Sequence, residues 1–203
     1  MTQSEATGSQ PARRRRRSRE ETKADLLDAA LRLLRRDGVL AGVNLREVAQ
    51  EAGVNHGQIY LYFGTRQMLL RAAITRLIET GFLDPETHWE QPFAARRRAM
   101  WRAALRKPDV VKLQALLALD DDPEFSLFPA LDRTRSALER DQATGALPAD
   151  ADGLAMHAMT AATYLGYCIF RQAIARDLDV DPAELDRRAA AVYDRMIAGL
   201  TSG

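Results

Sequence analysis

The chain has 203 residues, 46% of them hydrophobic and 28% charged, with a net charge of +1. That length suits one small and one larger domain; no apolar run approaches the ~20 residues that span a bilayer, and no hydrophobic segment follows the basic N-terminus as a secretory signal would. A cytoplasmic protein is expected, and the one cysteine, Cys168, excludes an intrachain disulfide and reads as a buried spectator.

Charge is distributed unevenly. Residues 1–66 carry 12 basic and 8 acidic side chains, and the remainder carries 17 and 20. Within the first part, residues 1–19 hold six arginines against one glutamate, so residues 20–66 are almost neutral. The segment 1–19 is therefore expected to be a disordered basic arm, in which Arg13, Arg14, Arg15, Arg16 and Arg17, with Arg19, supply attraction for phosphate. Such an arm can lie along a nucleic-acid backbone or enter a minor groove.

From Thr22 the chain runs TKADLLDAALRLLRRDG, where Leu26, Leu27, Ala30, Leu33 and Leu34 form one helical stripe closed by Gly38. A second helix starts at Asn44, whose spacing to Glu47 makes a capping-box variant, and ends at Gly53, which enters the left-handed turn conformation at no steric cost. Asn55 is a second N-cap. Beyond it, Ile59 falls on the buried side while His56, Gln58, Tyr60 and Tyr62 project elsewhere. A small residue (Ala49), a glycine and an aliphatic plug at these intervals are what a helix-turn-helix requires, with its second helix lying in the major groove. Thr65 is placed to cap a fourth helix.

These letters together, LLDAALRLLRRDG, LREVAQEAGV, IYLYF and TRQMLL, make residues 22–70 resemble the DNA-binding domain of the tetracycline-repressor (TetR) family of bacterial transcriptional regulators. The resemblance implies phosphate contacts from Tyr60, Tyr62 and Arg66, and from Thr22 and Asn44 at helix starts. It makes Arg46, Asn55, His56 and Gln58 the candidates for base edges. Gln58 and His56 depart from the commoner Thr or Ser and Lys, and Gly64 from a commoner Pro or polar residue; the amide of Gln58 can bond adenine in a bidentate way.

The rest of the chain carries no strand signature, and helices are expected near 66–80, 89–106, 109–120, 123–143, 150–176 and 182–200. Asp84-Pro85, Asp122-Pro123 and Asp181-Pro182 read as helix starts. The run Asp120–Asp122 with Glu124 is better explained as capping than as a cation site, and His56, His88 and His157 make no zinc pattern with Cys168. No cofactor or metal is expected, and no catalytic constellation is legible. Arg96, Arg97, Arg98, Arg102 and Arg106 read as the wet face of their helix, opposite Met100, Trp101, Ala104 and Leu105.

The fold class expected is all-α: a three-helix helix-turn-helix DNA-binding domain over 20–66, then a helical effector-binding and dimerisation domain over 67–203. In the family the last two helices pack against a twin, and here 154–173 and the stripe Leu185, Ala189, Val192, Met196, Leu200 are apolar enough to do so. Two-fold symmetry would double the contacts on a palindromic operator of double-stranded DNA. The family also usually holds an apolar cavity, for which Trp101, Gln114, Phe128, Met159, Thr163 and Tyr164 are the lining candidates; a small apolar or aromatic effector is implied. Two other readings stay open: a DNA-binding protein without an effector, constitutive or architectural, and a helical enzyme whose corner is structural.

Overall fold

The first helix starts from a reciprocal cap. The Ser18 hydroxyl accepts the Glu21 N–H at 3.0 Å and the Glu21 carboxylate accepts the Ser18 N–H at 2.7 Å, the S-x-x-E box in full. In the computed structural model, residues 17–37, 43–79 and 85–202 are described, and the regular structure among them is helical throughout. The helices are α1 (Arg19–Asp37), α2 (Leu45–Glu51), α3 (Gly57–Phe63), α4 (Arg66–Glu79), α5 (Pro85–His88), α6 (Phe93–Arg106), α7 (Pro108–Leu119), α8 (Leu131–Ala143), α9 (Gly153–Asp177) and α10 (Pro182–Thr201). Arg13 to Arg16, Gly38 and Asp84 lie outside the described residues.

Two cores organise these helices. The first joins the α1 stripe to Val48, Ala49, Ile59 and Phe63, then to Leu69, Leu70, Ala73 and Ile74 of α4 and Val110, Leu113 and Leu117 of α7. So α4 shares a core with α1–α3, and α7 closes its underside. Polar contacts reinforce both ends of α7. Arg35 Nε is 2.7 Å from Asp109 at its start; at its close Gln67 donates to Asp120 at 3.2 Å and Arg71 Nε lies 3.0 Å from Asp122. The second core packs Phe93, Trp101 and Ala104 of α6 against Tyr164 and Cys168 of α9 and Tyr193 and Ile197 of α10. Trp101 is stacked between Tyr167 and Tyr193, with ring centroids 4.9 and 4.6 Å away.

Three expectations are corrected. The helix foreseen over 123–143 begins only at 131: Asp121 turns left-handed (φ 48°), Asp122 caps a turn through the Glu124 N–H, and Pro129 bars helical geometry at the residue before it. The helix foreseen from 89 begins at Phe93 for a related reason, since Pro92 sits extended at its N-cap. The third correction is the largest. Arg96 and Arg97 are not on a wet face but 2% exposed, whereas Arg102 and Arg106 are exposed. The start at Asp181 holds, its carboxylate accepting the N–H groups of Ala183 and Glu184, and Asp152, which the sequence reading does not single out, caps α9 by accepting the Ala155 N–H.

Candidate nucleic-acid interface

The corner between α2 and α3 is built by backbone bonds. The Val54 N–H reaches Ala49 O at 2.9 Å and the Gly53 N–H reaches Gln50 O at 3.0 Å, the paired bonds of a Schellman turn with Gly53 at φ 65°. Ala49 is 2% exposed and Ile59 fully buried, so the small residue and the plug meet as the spacing required. Asn55 Oδ1 accepts the Gly57 N–H at 2.8 Å, and Thr65 Oγ1 accepts the Met68 N–H at 3.2 Å.

With Ile59 and Phe63 buried, α3 turns a mixed face outwards. Tyr60 is exposed, His56, Gln58 and Tyr62 are half-buried, and Leu61 is 70% exposed, the most open large apolar side chain of the helix. Sequence reasoning passed over Leu61 because a leucine between two tyrosines reads as core; only the helix register shows it outside. The His56 and Tyr60 rings meet edge to face at 5.3 Å, and the Arg19 guanidinium lies over the Tyr62 ring at 5.6 Å. Each pair holds an aromatic side chain in one orientation. Arg46 and Asn55 are exposed, and Arg66 is half-buried at the start of α4.

Not every candidate presents its polar group. Thr22 is 5% exposed and its hydroxyl donates to Ser18 O at 2.9 Å, so it closes the first turn of α1 instead of facing outwards. Asn44 is exposed but occupied: its oxygen accepts the Arg46 N–H, and its amide donates to Glu47 at 3.0 Å. Arg17 departs from the free arm expected of it. Its Nη1 donates to Ala52 O at 2.9 Å, at the C-terminus of α2, and lies 3.4 Å from Asp25. The last arginine of the run is thus fastened beside the corner.

Acidic groups on α2 are answered from α1. Arg32 pairs with Glu51 at 3.0 Å and Arg36 with Glu47 at 3.3 Å. Two carboxylates that would repel phosphate are therefore screened at short range by arginines of the same unit, the head formed by α1–α3.

The match to known sequences falls on this unit. Residues 26–73 fit the family model described as bacterial regulatory proteins, tetR family. Over these residues the chain is similar to the tetR family of bacterial regulatory proteins. It is 33% identical over 113 residues to the HTH-type transcriptional regulator BetI of Paraburkholderia xenovorans (strain LB400), covering 56% of this chain and 51% of that one. Identity to the HTH-type transcriptional regulator AcrR of Shigella flexneri is 34% over 82 residues, 40% of this chain and 37% of that one. The chain thus spans about half of the first of these curated relatives and 37% of the second. Among solved structures, Salmonella enterica GusR superposes with a TM-score of 0.63 at 18% identity, over 89% of this chain and 95% of that one. Mycobacterium smegmatis BioQ gives 0.57 at 23%, over 87% and 98%. These two likenesses show that the all-α fold is shared well beyond the stretch that sequence alone matches.

In the C-terminal part the six lining candidates separate. Trp101 and Thr163 border a groove of about 380 Å³ between α9 and α10, together with Tyr167, Leu185, Val192 and Met196. Tyr164 is buried in the second core, Gln114 is half-buried on α7, and Phe128 meets the His157 ring at 4.6 Å. Met159 is 68% exposed, turned away from any interior by its place on the outer face of α9. No helix among the described residues is long and apolar enough to cross a membrane.

Proposed function

We propose that this chain is a sequence-specific DNA-binding transcriptional regulator of the tetR family, a repressor that occupies a palindromic operator as a homodimer and releases it when a small molecule binds the C-terminal part. The observation that carries the reading is the outward face of α3, where Tyr60 and Leu61 are exposed and Gln58 and Tyr62 half-exposed beside a core closed by Ile59 and Phe63. On this reading Gln58, His56, Asn55 and Arg46 meet base edges, Leu61 offers an apolar contact to a thymine methyl, and Tyr60, Tyr62 and Arg66 reach phosphates. Asn44 contributes through the cap it builds, and Thr22, whose N–H and hydroxyl both go to Ser18 O, only by closing the first turn of α1. The two curated relatives named above are HTH-type transcriptional regulators.

Dimerisation through α9 and α10 is supported by what they leave uncovered. Phe170 and Leu178 are each 59% exposed, and Val192 and Met196 are nearly half exposed on the neighbouring helix. Side chains of this size on one face of two adjacent helices are the material of a protein interface. Selection of bound sites from random duplex DNA tests the whole reading. A short inverted repeat enriched by the full chain is the expected result; uniform recovery without a shared motif would dispose of it.

A further inference from the structure

Of the three consecutive arginines on α6, two have acids. Arg96 Nη2 is 2.8 Å from Asp141, and Arg98 Nε is 2.8 Å from Asp194. Arg97 is buried as deeply as Arg96, yet no carboxylate pairs with it among the described residues, and its Nε and Nη1 donate to nothing. Its guanidinium lies over the Phe93 ring at 5.6 Å, an attraction smaller than the cost of taking an unpaired cation out of water.

Histidine and tyrosine side chains add to this pattern. His157 of α9 is 7% exposed, its Nε2 has no partner among the described residues, and its ring is braced by Phe128. Burial and the nearby charges of Arg97 and Arg96 hold both His157 and His88 down to about 4, so both are neutral near pH 7. Tyr164, also buried, feels the charge of Arg97 in turn. A buried region with one unanswered positive charge, further free polar nitrogen and ring walls is complementary to a small anion with an apolar body.

We propose that Arg97 and His157 bind the carboxylate of a small organic acid whose apolar body lies against Phe93 and Phe128. A guanidinium suits a carboxylate in both charge and planarity. One uncompensated charge matches a monoanion, whereas a phosphate dianion would have to shed more water among aromatic rings. The acid is the effector of the regulator proposed above, and only that last step rests on the regulator reading.

Thermal unfolding of the full chain with benzoate, phenylacetate and octanoate, each against its amide and against inorganic phosphate, tests the site. At least one acid is expected to raise the unfolding midpoint by several degrees where its amide and phosphate do not, and Arg97→Met is expected to abolish the response while itself unfolding at a higher temperature than the parent. Equal shifts from acid and amide, a response to phosphate alone, or an undiminished acid response in Arg97→Met would overturn the proposal. Should that variant not fold, His157→Phe decides: about tenfold weaker acid binding supports the site, and unchanged binding overturns it. Operator binding is measured in parallel. Operator binding without any acid response sinks this proposal alone, and an acid response in a chain that binds no operator sinks the regulator reading alone.

Discussion

Arg96 and Asp141 form an ion pair at 2.8 Å with both side chains 2% exposed, joining α6 to α8. The same carboxylate takes Arg140 at 2.9 Å, and Arg140 and Arg96 both donate to Gln91 O, with Arg140 also reaching Trp89 O. One aspartate therefore fixes two arginines that clamp the turn leading into α6. Asp141→Asn should leave Arg96 buried without a counter-charge and cost about 3 kcal/mol or more, the usual penalty for breaking a buried pair from one side. Urea unfolding measures it, and a loss under about 1 kcal/mol would show that the clamp is dispensable.

Stability should fall as the medium is acidified from pH 7 to 5. His88 and His157 are held near 4 in the fold, chiefly by burial, against 6.5 when unfolded. Between those values the unfolded chain takes up protons that the folded chain refuses, so protonation draws the equilibrium towards unfolding. The loss should be roughly 2 kcal/mol for each histidine by pH 5 and should level off below about 4. Replacing His157 by Phe should remove about half of the slope; a denaturation midpoint constant across this window would contradict the assignment.

At Gly53, substitution by alanine should cost about 1 kcal/mol or more, because φ is 65° there and a Cβ is strained in that region whatever space surrounds it. Asparagine, which tolerates the left-handed conformation, should lose less. Equal stability of the Ala and Gly forms in thermal unfolding would mean the turn relaxes to another geometry.

On DNA, Gln58→Ala should relax preference at one base-pair position per half-site by about 1–3 kcal/mol while leaving the rest of the operator preference intact. Tyr62→Phe and Arg66→Ala should instead weaken binding evenly across sequences, as losses of phosphate contacts do. Quantitative binding to a library of single-base operator variants separates the two patterns; a uniform loss from Gln58→Ala would move it to the backbone class.

Cutting the chain before Arg17 should lower the salt dependence of DNA binding without unfolding the head. Arg17 and Ser18 belong to the folded unit, through Ala52 O and the Glu21 cap, so the cut removes Arg13 to Arg16 alone. The slope of log affinity against log salt should fall by up to about 0.9 for each arginine engaged. An unchanged slope would assign the attraction elsewhere.

Local chemistry was legible in the sequence to the extent that its partners lie within one or two turns. The corner of Ala49, Gly53 and Ile59, the caps at Asn55, Thr65 and Asp181 and the α1 stripe all follow from near neighbours. Arg96 and Arg97 did not, because three adjacent arginines look solvated until a counter-charge 45 positions away in Asp141, or its absence, is known. Pro129 was a readable signal against a helix from 123, overridden by the attraction of Asp122-Pro123-Glu124 as a start. Thr22 shows a subtler failure: a hydroxyl near a helix start satisfies its own turn as readily as a ligand, and only the true cap at Ser18 reveals which.

α7 is tied to α1 through Asp109 and to α4 and its neighbourhood through Asp120 and Asp122, while Val110, Leu113 and Leu117 key its length into the head's own core. It behaves as a beam pinned at both ends. The α1–α4 unit consequently has little freedom to swivel on a loose neck; on the proposed reading, a rearrangement of the ring-lined interior would reach it as a tilt of that beam and would set how far apart the two α3 helices of a dimer stand.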